Sequence, residues 1–376
     1  MELPEAKLGY KIRKVVTYVQ MYGLARVVGK IRGQFHLKAK YDPLPAFQKK
    51  SGTGKHVGLI GCGLFPFANI SHYLVRNHGK VIRACMDIDP HRAASLFKRY
   101  KLDYYTTDAQ EMFDDPDIDI IYIASNHASH AEYAIKALEA GKVVHVEKPH
   151  VVDRDQLERL KAAAEKHNGK IHLGFNRPHG SIGKEILERF ATQEGTLMIN
   201  WFVAGHRIPA GHWYRNEGEG GRILGNVCHW TDFTLHMIPE GVRYPIRIIP
   251  TRTGDPDQDI AVTFAFGDGS IAALTFSAKG ESFRGVREHF SGHRGDILMF
   301  MDDFARLTID HAEKRFKVRA HHHDQGHEAS ILAAYEMSPK GGNKPGSPLN
   351  YVCETAELFL ATRDALEQNR EITINR

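Results

Sequence analysis

The stretch HVGLIGCGLFP, residues 56–66, runs a short apolar segment straight into Gly61-Cys62-Gly63-Leu64-Phe65-Pro66. A strand ending in two glycines one residue apart is what a dinucleotide site needs. The first glycine allows a tight turn, and the second lets the backbone approach a pyrophosphate at a helix N-terminus. The third glycine of that fingerprint is replaced by Pro66, which a first helical turn tolerates.

Working outward, the apolar runs His56 to Ile60, Val81 to Met86, Ile118 to Ile123, Val143 to Val146 and Ile171 to Gly174 alternate with helical patterns at His91 to Tyr100, Ser129 to Ala140 and Arg154 to His167. Strands that are apolar throughout and separated by helices predict a doubly wound parallel sheet covered on both faces, an α/β Rossmann fold. The second strand ends at Asp87, 24 residues beyond Gly63. A carboxylate there would accept both adenosine ribose hydroxyls and repel a 2′-phosphate, so the expected cofactor is NAD rather than NADP. Asp87 or Asp89 could instead cap the helix beginning near Pro90.

Beyond about residue 178 the pattern changes. Val262 to Phe266 and Ser270 to Phe276 flank Gly267-Asp268-Gly269, a hairpin signal, and Arg294 to Leu307 could add another strand pair. This predicts a second, α+β domain with an open antiparallel sheet. The expected partition is 1–54 as a basic amphipathic extension and linker, 55–178 as the dinucleotide domain, 179–345 as the substrate and oligomerisation domain, and 346–376 as a C-terminal helix and tail.

Residues 1–50 carry eleven Lys or Arg and three acids, a net +8 that leaves −3 for the rest of the 376-residue chain. The basic character therefore belongs to the extension, which argues against nucleic-acid binding by the whole protein. Ile12, Val15, Val16 and Val19, then Leu24, Val27, Val28 and Ile31, fall at helical spacing. These two amphipathic helices suit packing on the protein's own body or a sister subunit better than a membrane surface. The run QKKSGTGK, residues 48–55, is a linker and lacks the first glycine of a phosphate-binding P-loop. The opening Met1-Glu2-Leu3-Pro4-Glu5 does not look like a signal peptide and no run is long enough to span a bilayer, so a cytoplasmic location is expected. Cys62, Cys85, Cys228 and Cys353 lie far apart and are expected to be free thiols. His321-His322-His323-Asp324 with His327 is expected to be exposed polar sequence, with no metal site.

Glu147-Lys148-Pro149, Ser125-Asn126-His127, Gly174-Phe175-Asn176-Arg177, Gly220-Gly221 and Cys228-His229 with Asp232 occur in an order that resembles the Gfo/Idh/MocA oxidoreductases, over about residues 55–370. The segment 204–213, continuing through 221–229, is most similar to the C-terminal half of two-part proteins whose other half resembles a zinc alcohol dehydrogenase. The resemblance implies nicotinamide-dependent oxidation or reduction of a sugar, nucleotide sugar or polyol, often in a homo-oligomer. One branch of the family consists of glycosidases that oxidise their substrate transiently, and a nucleotide-binding sensor with lost chemistry is a further alternative.

Oxidising a secondary alcohol needs an acid/base group and a donor that stabilises charge on oxygen. Lys148, at a strand's C-terminal end, and His229, which titrates near neutrality, are the catalytic candidates. Glu147, Asp232 and Asn226 are candidate orienting groups. Many family members place an aspartate four residues before the histidine, where this chain has Gly225, so relay through that carboxylate is not expected. Candidate cofactor contacts are Gly61, Gly63, Leu64, Phe65, Asp87, Ser125, Asn126, His127, Glu147 and Lys148. Candidate substrate contacts are Asn176, Arg177, His212, Trp213, Tyr214 and Arg222, with the two aromatics able to stack on a sugar face.

Overall fold

The structure, a computed structural model, describes residues 8–209, 211–252, 259–280, 283 and 285–376. Met1 to Glu5 and Ala210, which entered the sequence reading, lie outside the described residues. The chain forms two packed units that are not linear segments: 28–175 joins 327–356, and 1–27 joins 176–326 and 357–376.

The extension forms α1 (Leu8–Tyr22) and α2 (Leu24–His36). Of the aliphatic stripe on α1, Ile12, Val15 and Val16 are exposed and Val19 is half-buried, so the stripe is not covered by the protein's own body. The tyrosines make its contacts instead. Tyr10 meets Phe283 edge-on at 5.1 Å, and the Tyr22 hydroxyl lies 2.9 Å from His323 Nδ1. Rings reach further than valines across a helix face, and their polar tips find partners.

In the nucleotide unit, β1 (Val57–Ile60), β2 (Ile82–Met86), β3 (Tyr104–Thr106), β4 (Ile120–Ile123), β5 (Val143–Val146) and β6 (Ile171–Leu173) form one parallel sheet in the order β3-β2-β1-β4-β5-β6. Every residue of these strands is buried, so their sequences are mostly apolar without alternation, with Arg83, His145 and His172 among the buried exceptions. The helices are α3 (Ser71–His78), α4 (Pro90–Tyr100), α5 (Gln110–Phe113), α6 (His127–Glu139) and α7 (Arg154–Lys166). Between β1 and α3, residues Pro66–Ile70 make a wide π turn with Pro66 in its first position and the Ser71 N–H bonded to the Pro66 carbonyl. The proline thus sits where its missing N–H costs least.

The second unit holds α8 (Ser181–Ala191) and β7 (Met198–His206), followed by α9 (Cys228–Met237). Its remaining strands are β8 (Ile246–Arg252), β9 (Asp259–Ala265), β10 (Ile271–Gly280), β11 (Arg287–Arg294), β12 (Ile297–Asp302), β13 (Arg306–His311), β14 (Lys314–Arg319) and β15 (Ile372–Ile374). The nine strands run β14-β13-β12-β11-β7-β10-β9-β8-β15. The expected β9–β10 hairpin and β12–β13 pair are antiparallel, but β7 runs parallel to β10, so the sheet is mixed. Burial alternates along β7, β9 and β10. Trp201, Val203, Leu274 and Phe276 join the core under one face, while Phe202 and Phe300 are exposed on the other. Two late helices complete the chain, α10 (His327–Glu336), which packs on α3 in the nucleotide unit, and α11 (Leu349–Gln368). Among the described residues, no helix is long and apolar enough to cross a membrane.

Candidate active site

The C-terminal ends of β1, β2, β4 and β5 carry the nucleotide candidates. Gly61 adopts φ +88°, and a Cβ there would lie 2.5 Å from the Ala124 carbonyl oxygen, so only glycine lets β1 turn this close to β4. A Cβ on Gly63 would meet nothing within 4 Å, leaving the backbone open to an incoming phosphate. The buried Asp87 accepts the Cys62 N–H on Oδ2 at 2.7 Å and the Asp89 N–H on Oδ1 at 2.9 Å. Each carboxylate oxygen keeps a second lone pair for a ribose hydroxyl. The capping role falls to Asp89, whose side chain accepts the His91 N–H at 2.9 Å. Burial would raise the Asp89 carboxyl, but the His91 N–H and the Lys40 ammonium hold it below its ordinary range. Beside Asp87, Ile88 is 83 % exposed, an apolar side chain offered at the sheet edge that the sequence reading did not single out. Leu64 is exposed and Phe65 half-buried against the His327 ring.

Beyond β4, the Ser125 and Ser129 hydroxyls lie 2.6 Å apart, and Ser129 also donates to Asn126. Asn126 itself is exposed at the start of α6, whereas His127 is buried. His130, which the sequence reading passed over, is buried with Nδ1 2.8 Å from the Pro149 carbonyl and Nε2 3.3 Å from that of Ser125. It ties the loop after β5 to the loop after β4. Burial lowers its pKa, outweighing the two carbonyls that favour the cation.

Lys148 follows β5 directly and is half-buried. Next to it, Glu147 Oε1 lies 3.4 Å from His145 Nε2, and His145 Nδ1 lies 3.1 Å from His172 Nδ1. Gly174 makes room for this carboxylate, since a Cβ there would sit 2.7 Å from Glu147 Cδ. Glu147 is thereby fixed by a pair of histidines that face each other across β5 and β6.

In the second unit, His229 lies half-buried in the first turn of α9, after a π turn over Ile223–Val227 that contains Gly225. Such turns recur at functional sites. Asp232 is fully buried, with Oδ2 3.7 Å from His236 Nε2 one turn further on. Asn226 accepts from Arg222 Nη1 at 3.2 Å, and Arg222, itself buried, also donates to the His206 carbonyl. Arg177 is bound on both sides of its fork to Glu288, at 2.6 and 2.9 Å. Glu288 also accepts from Trp230 Nε1 and Gln325 Nε2. Asn176 donates to the Gln325 carbonyl at 2.6 Å. Arg177, Asn176 and Arg222 therefore spend donors on the fold, in a buried network rather than on an open surface. The aromatic candidates differ: Trp213 is 38 % exposed, with Tyr214 edge-on at 4.5 Å and His212 stacked at 5.8 Å. The His321 and His322 rings lie 4.4 Å apart, tilted by 52°, and no three His, Cys, Asp or Glu side chains group as metal ligands among the described residues.

Residues 55–175 match the family model described as an oxidoreductase family with an NAD-binding Rossmann fold. Over these residues the chain is similar to the Gfo/Idh/MocA oxidoreductases. The match falls on the unit that carries the parallel sheet, whose fold is of the NAD-binding Rossmann kind. The chain is 35% identical over 226 residues to the uncharacterized oxidoreductase YrbE of Bacillus subtilis, covering 58% of this chain and 65% of that protein. It is 27% identical over 201 residues to levoglucosan dehydrogenase of Pseudarthrobacter phenanthrenivorans (49% and 51% covered) and 30% over 184 residues to inositol 2-dehydrogenase of Ralstonia nicotianae (48% and 52%). The match thus spans about half to two thirds of the length of these curated relatives. Among solved structures, levoglucosan dehydrogenase with NADH and L-sorbose superposes with a TM-score of 0.71 at 18% identity, covering 86% of this chain and 99% of that one. GenD2 from gentamicin A biosynthesis with NAD gives 0.71 at 18%, covering 88% and 99%. At that identity the likeness establishes the two-part fold.

Proposed function

We propose that this chain is an NAD-dependent oxidoreductase acting on a secondary hydroxyl, or the matching ketone, of a sugar, nucleotide sugar or polyol. The observation that carries the reading is the placement of Lys148 at the end of β5, in the same sheet whose β1 and β2 ends present the Gly61–Gly63 turn and Asp87. Ligands of such sheets bind outside the carboxyl ends of the strands, and a relative that acts on levoglucosan and another that acts on inositol share this Rossmann domain's family.

Bound NAD supplies the hydride acceptor or donor. The protein's part is to hold and charge-balance the alcohol. Lys148 Nζ hydrogen-bonds the reacting hydroxyl and stabilises the oxygen as its proton leaves, while Glu147, fixed by His145, keeps the lysine's backbone and charge in register. In the second unit, His229 is the candidate for exchanging a proton with water, unaided by a carboxylate one turn earlier because Gly225 stands there. Trp213 and Tyr214 offer an aromatic face to the carbohydrate. Phe202 and Phe300, exposed on one face of the second unit's sheet and lining a cavity of about 570 Å³, support self-association through that face.

The test is spectroscopic. Purified protein with NAD and a panel of free sugars, inositols and nucleotide sugars should develop reduced-nicotinamide absorbance with at least one compound class. Glycosidic cleavage without net reduction would instead reveal a transient-oxidation glycosidase, and silence across the panel would contradict the reading.

A further inference from the structure

The nucleotide loop has a neighbour that lies outside the family match. Residues 33–50 run over the ends of β1, β2 and β3, ahead of the matched segment 55–175. His36, at the end of α2, is only 3 % exposed. Its Nε2 lies 2.7 Å from the carbonyl oxygen of Cys62, the residue between the two glycines. A carbonyl can only accept, so Nε2 carries the proton. The ring is stacked on Phe67 at 4.1 Å and 14°, and Phe67 is held from the other side by the Tyr100 hydroxyl, which donates to its carbonyl at 2.6 Å. One turn earlier, Gly33 receives the side chain of Leu64, and a Cβ there would overlap Leu64 Cδ1. Further along, the Tyr41 N–H donates to His91 Nδ1 at 3.1 Å, and Lys40 lies 3.8 Å from Asp89.

Both sides of Cys62 are therefore fixed. Asp87 takes its N–H, and His36 takes its C=O. The amide that the Cys62 carbonyl belongs to is the one that presents the Gly63 N–H. Rotating that peptide plane would turn the Gly63 N–H away from a pyrophosphate, and a donor on its carbonyl opposes the rotation. His36 Nδ1 is buried without a hydrogen-bond partner, and burial lowers the pKa of the ring. The neutral, Nε2-protonated form that the Cys62 carbonyl requires is thus the form the surroundings favour.

We propose that His36 is a positioning residue for the dinucleotide, presetting the Gly63 amide from a segment that the family domain does not contain. The inference rests on the NAD reading of the site and adds a residue that acts on it through the loop. His36→Phe keeps the stack on Phe67 and removes the donor. His36→Gln keeps a donor at the reach of Nε2.

The experiment has two readouts on folded protein of unchanged far-UV circular dichroism. NADH affinity by fluorescence should fall about tenfold in H36F, the scale of one lost hydrogen bond, and recover to within about threefold of wild type in H36Q. KM for NAD should rise in H36F while kcat stays close to wild type. Without nucleotide, amide exchange over residues 61–67 should accelerate in H36F and not in H36Q. Wild-type affinity together with unchanged exchange in H36F would overturn the proposal. Accelerated exchange in a protein whose wild type binds no NADH would leave loop positioning standing and remove the NAD reading instead.

Discussion

The nucleotide unit presents its site mostly as backbone, and the second unit presents its candidates as long side chains. At the ends of β1, β2 and β4 the decisive groups are the Gly61 turn, the open face of Gly63, and peptide groups held by Asp87. In the second unit Arg177, Asn176 and Arg222 are turned into the protein, onto Glu288, Gln325 and His206. A backbone cradle is fixed by local residue type. A side chain's task depends on which distant charge it meets.

The largest effects should separate these two kinds of residue. Lys148→Ala and His229→Ala should each lower kcat by about 10² to 10⁴, the range for general acid/base groups, with NADH affinity preserved. Near wild-type turnover in either variant would show that the residue is not catalytic.

Arg177→Met should act on stability instead. It leaves the buried Glu288 carboxylate without its guanidinium partner, an arrangement that costs about 3–5 kcal/mol. Denaturant unfolding measures this. A loss below about 1 kcal/mol, with KM for the carbohydrate raised, would return Arg177 to the list of substrate contacts.

A pH effect of intermediate size comes from the nucleotide unit. Burial pushes His150 down to about 4, and its Nε2 lies 3.0 Å from the Val352 carbonyl. The unfolded chain takes up the proton near pH 6.5, before the folded one does. The stabilisation is therefore complete above about pH 6.5 and is lost as pH falls toward 4, about 2 kcal/mol by pH 5. Unfolding free energies of wild type and His150→Phe should converge in that window, and parallel curves would refute the assignment.

Smaller still is Trp213→Ala. An exposed stacking face contributes about 0.5–1.5 kcal/mol, so KM for the carbohydrate should rise up to about tenfold with kcat little changed. An unaltered KM would leave the exposed aromatic cluster outside the substrate site.

Most of the nucleotide unit could be read from the chain because its buried strands are short, mostly apolar runs, interrupted only singly by residues such as Arg83, His145 and His172. The exception, β3, is Tyr104-Tyr105-Thr106, two tyrosines and a threonine that do not read as an aliphatic run. In the second unit the hairpin at Gly267-Asp268-Gly269 was visible from its turn, whereas the parallel pairing of β7 with β10 joins residues more than 70 positions apart and leaves no local trace. The tasks of Arg177 and His36 were hidden for the same reason: Glu288 is 111 residues from Arg177, and the Cys62 carbonyl is 26 residues from His36. Along α1 the aliphatic period was real, but the tyrosines make the contacts.

The claim that the Gly61–Gly63 turn and Asp87 form an NAD site is tested most directly by calorimetric titration of the purified protein with NADH and NADPH under the same conditions. The account predicts saturable NADH binding, with NADPH at least about tenfold weaker because a 2′-phosphate meets the Asp87 carboxylate. Tighter binding of NADPH, or no binding of either nucleotide, would contradict it.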